Sequence, residues 1–158
     1  MRRVARHGHW PSWSAGWCVV FAGAHLYWAV GGSVGLASSA GPGLASRRPR
    51  EFVVLGLYGV AAVLLLGTVL ALVRPVADRG QRLVAAMSAV IAAALLLRGV
   101  GVEAALALDA GGVREAVGST EMRASLWWWN PWFVFGGILW SGRAREEWRR
   151  GRMLSRRV

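Results

Sequence analysis

Four side chains set within or beside long apolar stretches could do chemistry: His25, Arg98, Glu103 and Asn130. A histidine gains or loses a proton near neutrality, an arginine is a permanent fork of donors, and an amide donates and accepts together. Trp28 adds an aromatic face three residues after His25. In these five candidate ligand-binding residues, His25 is the titratable member of a small polar pocket for a ligand, ion or proton, and Arg98 its anion contact. Arg98 and Glu103 lie about 140° apart around a helix, so their partners must come from other helices or from water. The same residues also admit a packing role. Asn130 can cap or bridge a helix end, Arg98 can extend to headgroups, and His25 can bond a backbone carbonyl. Placing a charged arginine mid-bilayer costs roughly 2.5–3.5 kcal/mol, which calls for an explanation without choosing between the two.

Other chemistries lack their residues. The single cysteine, Cys18, excludes an internal disulfide, a paired-cysteine redox centre and a thiolate metal site within one subunit. Its neighbours Gly16, Trp17, Val19, Val20 and Phe21 give it an inert packing role. A haem would need a second axial ligand from Met87 or another copy, because His25 is the one histidine in an apolar run and His7 and His9 belong to the polar N-terminal segment. Zinc, calcium and a hydrolytic triad have no ligand or residue set. Proton-coupled efflux would need a carboxylate deeper than Glu103. No cofactor or metal is expected, and an enzyme is the less favoured class.

Those residues need elements to hold them, and the elements read as membrane spans. The chain has 158 residues, 55% of them hydrophobic, with a mean hydropathy of +0.40. Uncharged or nearly uncharged runs predict helices at about 14–34, 52–73, 83–108 and 124–142, followed by a basic tail over 143–158. About 20 apolar residues cross a ~30 Å hydrocarbon core. The expected fold is all-α, an integral membrane four-helix bundle forming one domain, with Gly35–Pro49 an exposed loop. An arginine-bearing start and Ala37-Ser38-Ser39-Ala40 imitate a signal peptide, but the apolar stretch is too long and too aromatic for one.

Direction follows from the arginines, which supply all 19 basic residues. With the N-terminus inside, Arg2, Arg3, Arg6, Arg74, Arg79, Arg82 and the seven from Arg143 to Arg157 are cytoplasmic. Arg47, Arg48, Arg50, Arg114 and Arg123 are outside, with the acidic Asp109, Glu115 and Glu121. The excess predicts that both termini are cytoplasmic. Tryptophans favour headgroups, so Trp10, Trp13, Trp17 and Trp140 mark the inner boundary and Trp127, Trp128, Trp129 and Trp132 the outer one. Arg149 and Arg150, beside Trp148 in the basic tail, are expected to meet anionic lipid at the inner surface. The net charge of +11 accompanies no recognition module, so nucleic acid is not an expected partner.

In lipid, small residues let helices approach. One stripe of the second helix holds Gly56, Val60, Val63 and Gly67, one of the third Ala85, Ala89 and Ala92, and one of the fourth Asn130, Phe133, Gly137 and Ser141. The first helix carries a heptad-like seam through Cys18, Phe21, His25, Trp28, Gly32 and Gly35. Such faces also suit a homo-oligomer.

Two of these pieces, the stretch from His25-Leu26-Tyr27-Trp28-Ala29-Val30-Gly31-Gly32 to Gly35 and Asn130-Pro131-Trp132-Phe133-Val134-Phe135-Gly136-Gly137, carry a likeness. From about Trp17 to Trp140 the chain resembles the domain-of-unknown-function family thirty-nine ninety-five, small multi-pass bacterial membrane proteins with no established activity. The resemblance implies a bacterial plasma (inner) membrane location and no particular substrate. The expected role is structural or interactive, with binding or transport through the outer-half polar cluster as the alternative.

Overall fold

The computed structural model describes residues 9–108 and 119–154. The arginines before His7, His7 itself, the Asp109, Arg114 and Glu115 segment, and Arg156 and Arg157 lie outside them, as does the side chain of Glu121. Among the described residues every regular element is helical.

Helix α1 spans Trp10–Ala29 with Pro11 in its first turn, where a missing backbone N–H costs nothing. It stops well short of Val34 because Gly31 adopts a φ of +115°. That turn brings the Gly32 N–H back onto the Tyr27 carbonyl at 2.8 Å. The segment expected as a loop holds two short helices, α2 (Leu36–Ala40) and α3 (Pro42–Arg47). A π-helical stretch, Phe52–Gly59, runs into α4, Val60–Leu72. Helix α5 spans Asp78–Ala107 and so begins five residues before the apolar run, behind an extended Ala77.

The last helical rod comprises α6 (Ser119–Ala124), a π-helical stretch at Ser125–Trp129, and α7 (Asn130–Leu154). Pro131 therefore lies inside a helix. Its ring cannot donate and crowds the carbonyl four residues back, a conflict that the wider turns before it relieve. The helix also continues twelve residues past Gly142, so most of the expected basic tail is helical.

The long helices pack antiparallel, with α1 between α4 and α7 and with α5 along α7. Glycines set the closest approaches. A Cβ on Gly99 would stand 3.0 Å from the Asn130 carbonyl, and one on Gly137 3.3 Å from that of Ala92, so α5 and α7 meet nearly backbone to backbone. A Cβ on Gly136 would stand 2.5 Å from the Trp17 ring, and one on Gly142 2.3 Å from that of Trp10. These two indoles of α1 thus fit notches in α7. The main core cluster joins Trp17, Cys18, Phe21, Ala71, Leu139 and Trp140, and a smaller one joins Trp28, Leu36 and Leu57.

Several polar side chains lie inside and large aliphatic ones outside. Ser14, Ser88, Asn130, Arg143 and Glu147 are buried, while Leu55, Leu66, Val69 and Val90 are exposed. On α4 the inward face carries Ala61, Leu64 and Ala71, and Val63 is 67% exposed. Of the expected stripe of Gly56, Val60, Val63 and Gly67, Gly67 faces Cys18 and Trp140 as expected, whereas Val63 turns outward. On α5 the inward positions are Gln81, Val84, Ala85, Ser88 and Ala92, with Ala89 outside. Two helical stretches, Phe52–Leu72 and Asp78–Ala105, are long and apolar enough to cross a membrane.

Candidate functional site

Where α5 meets α7, Asn130 projects from the first turn of α7 and is 1% exposed. Its Oδ1 accepts from Arg98 Nη1 at 3.2 Å, and its Nδ2 donates to Glu103 Oε2 at 2.8 Å. The two charged side chains, which their angular separation keeps from pairing along one helix, are joined through an amide from the neighbouring helix. Gly99 permits this, because only a residue without Cβ lets α7 come close enough for a side chain as short as asparagine to reach both. The guanidinium of Arg98 also lies 4.9 Å from the Phe133 ring centroid, a cation–π contact. Arg98 remains exposed and Glu103 half-buried, so the unit is closed at Asn130 and open at its charged ends.

His25 is not drawn into that unit. Its Nδ1 lies 2.9 Å from the Phe21 carbonyl one turn back, and no hydrogen bond joins it to Arg98, Glu103 or Asn130. Phe21 and Trp28 flank it in edge contacts, with centroids at 4.6 and 5.1 Å. Trp28 donates from Nε1 to the Val34 carbonyl at 2.8 Å and packs against Trp129. Of the five candidate residues, three form one hydrogen-bonded unit and two belong to an adjoining aromatic cluster.

The tryptophans expected at the outer boundary divide. Trp127 and Trp128 face outward. Trp129 and Trp132 turn toward α1, where Trp132 stacks on Trp17 at 5.7 Å and Trp129 lies over Phe21. Four indoles within six residues cannot share one side of a helix whose positions advance by ~100°. Trp17 and Trp140, expected near the inner boundary, are buried, and Trp17 donates to the Trp132 carbonyl at 3.1 Å.

Two arginines have roles that spacing did not reveal. Arg143, 0% exposed, donates from Nε to the Ala71 carbonyl at 2.9 Å and from Nη2 to the Val73 carbonyl at 2.6 Å, and its Nη1 pairs with Glu147. The accepting carbonyls close the C-terminal end of α4, where the helix dipole favours a cation. Arg48 does the same for α1. It donates from Nη1 to the Trp28 carbonyl at 3.0 Å and from Nη2 to the Gly32 carbonyl, with its own backbone at a φ of 42°. The i, i+4 spacing of Arg143 and Glu147 was the one available signal; nothing in the sequence links Arg48 to Trp28. Arg150 pairs with Glu146 and Glu147, whereas Arg149 is exposed.

Among the described residues no group of three or more histidine, cysteine, aspartate or glutamate side chains is placed to hold a metal. A family model described as "Protein of unknown function (DUF3995)" matches residues 18–140, a stretch that takes in α1 through the first part of α7. No curated protein matches the chain, and neither does any solved structure.

Proposed function

The chain belongs to the DUF3995 family, and from that premise we propose that it is a four-pass protein of the bacterial plasma membrane with a structural or interaction role. Both termini are cytoplasmic in this reading. Four long helices of alternating direction support the four passes, and the arginine asymmetry supports the orientation. The apolar outer surface supports the bilayer. Only 11% of the most apolar window in Phe52–Leu72 is buried, unlike the core helix of a water-soluble protein.

One observation carries the structural role: Asn130 and His25 are each held by protein groups. Asn130 is closed between Arg98 and Glu103, and His25 is bonded to its own helix. Such a unit fixes the rotation of α5 against α7. Native mass spectrometry of the detergent-extracted protein tests this: Asn130→Ala should change assembly state or yield while removing no bound molecule. Release of a small molecule by that substitution would overturn it.

A second reading, binding or transport of a small ligand or ion, draws on Arg98, whose exposed guanidinium is hydrogen-bonded to Asn130 among the described residues. It predicts flux into liposomes that Arg98→Ala abolishes. Topology is tested with an impermeant thiol reagent. A cysteine at Ser38 should react from outside and one at Ala77 should not, against a silent background because Cys18 is buried.

A further inference from the structure

The basic half of α7 is sorted by side. Glu146 and Glu147 engage Arg150 and Arg143, while Arg145 and Arg149 have no carboxylate partner among the described residues. Arg145, Arg149 and Arg152 recur at steps of four and three, which places them on one stripe of the helix. That stripe borders a groove of about 390 Å³ between α7 and α5. The floor comprises alanines, Ala85, Ala86 and Ala89 from α5 and Ala144 from α7, so the helices leave an apolar channel where larger side chains would fill it. Trp148 stands at the rim, 55% exposed, as an indole does at headgroup level.

A channel floored by methyl groups and edged by guanidiniums matches a molecule with a hydrocarbon chain at one end and an anionic group at the other. We propose that this groove binds one anionic phospholipid, its phosphodiester between Arg145 and Arg149 and an acyl chain over the alanine floor. Arginine suits a phosphodiester because its planar fork donates two parallel hydrogen bonds to phosphate oxygens. The proposal rests on the bilayer reading above but not on which side faces the cytoplasm. It differs from a diffuse basic surface in requiring the floor as well as the charge.

The test is native mass spectrometry of the full-length protein in detergent, titrated with dioleoyl phosphatidylglycerol or with dioleoyl phosphatidylcholine. The wild type should retain one phosphatidylglycerol in preference to phosphatidylcholine. R145Q/R149Q should weaken that retention by about 30-fold, the effect of two charges close to an anionic headgroup. A89L should weaken it on the order of tenfold with no change of charge, because a leucine side chain occupies the acyl channel. R74Q/R79Q removes two exposed arginines elsewhere on the chain and should leave retention within about twofold of wild type, a shift small against the effect of two contacting charges. Equal retention of the two lipids, an equal loss in R74Q/R79Q, or full retention in A89L would each overturn the groove. The readout needs no sidedness, so an inverted topology would show in the thiol labelling and leave this result intact. Far-UV circular dichroism confirms that each variant is folded.

Discussion

Replacing Arg143 by methionine keeps an unbranched chain in the same space and removes the charge. Arg143 is 0% and Glu147 1% exposed, so the substitution leaves a buried carboxylate without its principal partner. Breaking a buried pair from one side costs ~3–5 kcal/mol. Two features reduce the figure here: Arg150 still reaches Glu147 Oε1 at 3.3 Å, and carbonyls at a helix end can turn to water. The expected loss is therefore about 3 kcal/mol, the lower end of that range. Adding Glu147→Met removes the stranded charge, and an apolar pair of similar volume is often neutral beside the ion pair it replaces. R143M/E147M should therefore lie within about 1.5 kcal/mol of wild type, the remainder being the two lost carbonyl contacts. Unfolding by SDS in mixed micelles, followed by circular dichroism, measures both. An R143M midpoint indistinguishable from wild type, or a double variant no better than the single, would refute the clamp.

Three further substitutions test the packing. Asn130→Leu leaves Arg98 and Glu103 unbridged and should lower stability by ~1–3 kcal/mol in the same titration; an unchanged midpoint would show that the amide joins nothing of consequence. Gly136→Ala puts a methyl 2.5 Å from the Trp17 ring and should cost ~1–3 kcal/mol. Adding Trp17→Leu should recover part of that loss, and no recovery would mean that the two positions are not in contact. Arg48→Gln releases the carbonyls of Trp28 and Gly32 and should speed amide exchange across residues 30–36 about tenfold, the worth of one hydrogen bond to a charged group. Exchange at the wild-type rate would dismiss Arg48 as the latch of that turn.

Charge carries more of this fold into the sequence than shape does. The uncharged run from Phe52 matches a helical stretch ending at Leu72 because nothing polar interrupts it. The end of α1 escaped the same logic, since Gly31 and Gly32 are as apolar as a helix interior and stop it through backbone conformation. The basic residues after Gly142 read as a tail because hydropathy counts charges and not their neighbours. Arg143, Glu147 and Gly151 in fact prolong the buried face of α7. At the candidate site, comparing depths along helices was enough to put Arg98, Glu103 and Asn130 in range of one another. It could not supply rotation, which is set where the backbones touch at Gly99. His25 shared a similar depth and turned to its own helix instead. The pairing of Trp17 with Gly136 left no sequence signal, because a notch is defined by the atoms that are missing.

The indoles of Trp10 and Trp17 are received by Gly142 and Gly136, more than a hundred residues further along the chain. During synthesis at ~5–20 residues per second, α1 therefore waits on the order of ten seconds after it is made for its receptor on α7 to be translated. Until then its aromatic face has no partner from α7 to rest on. Nascent chains truncated before Gly136 hold α1 in that unfinished state, and α1 is fully packed only once α7 has been made.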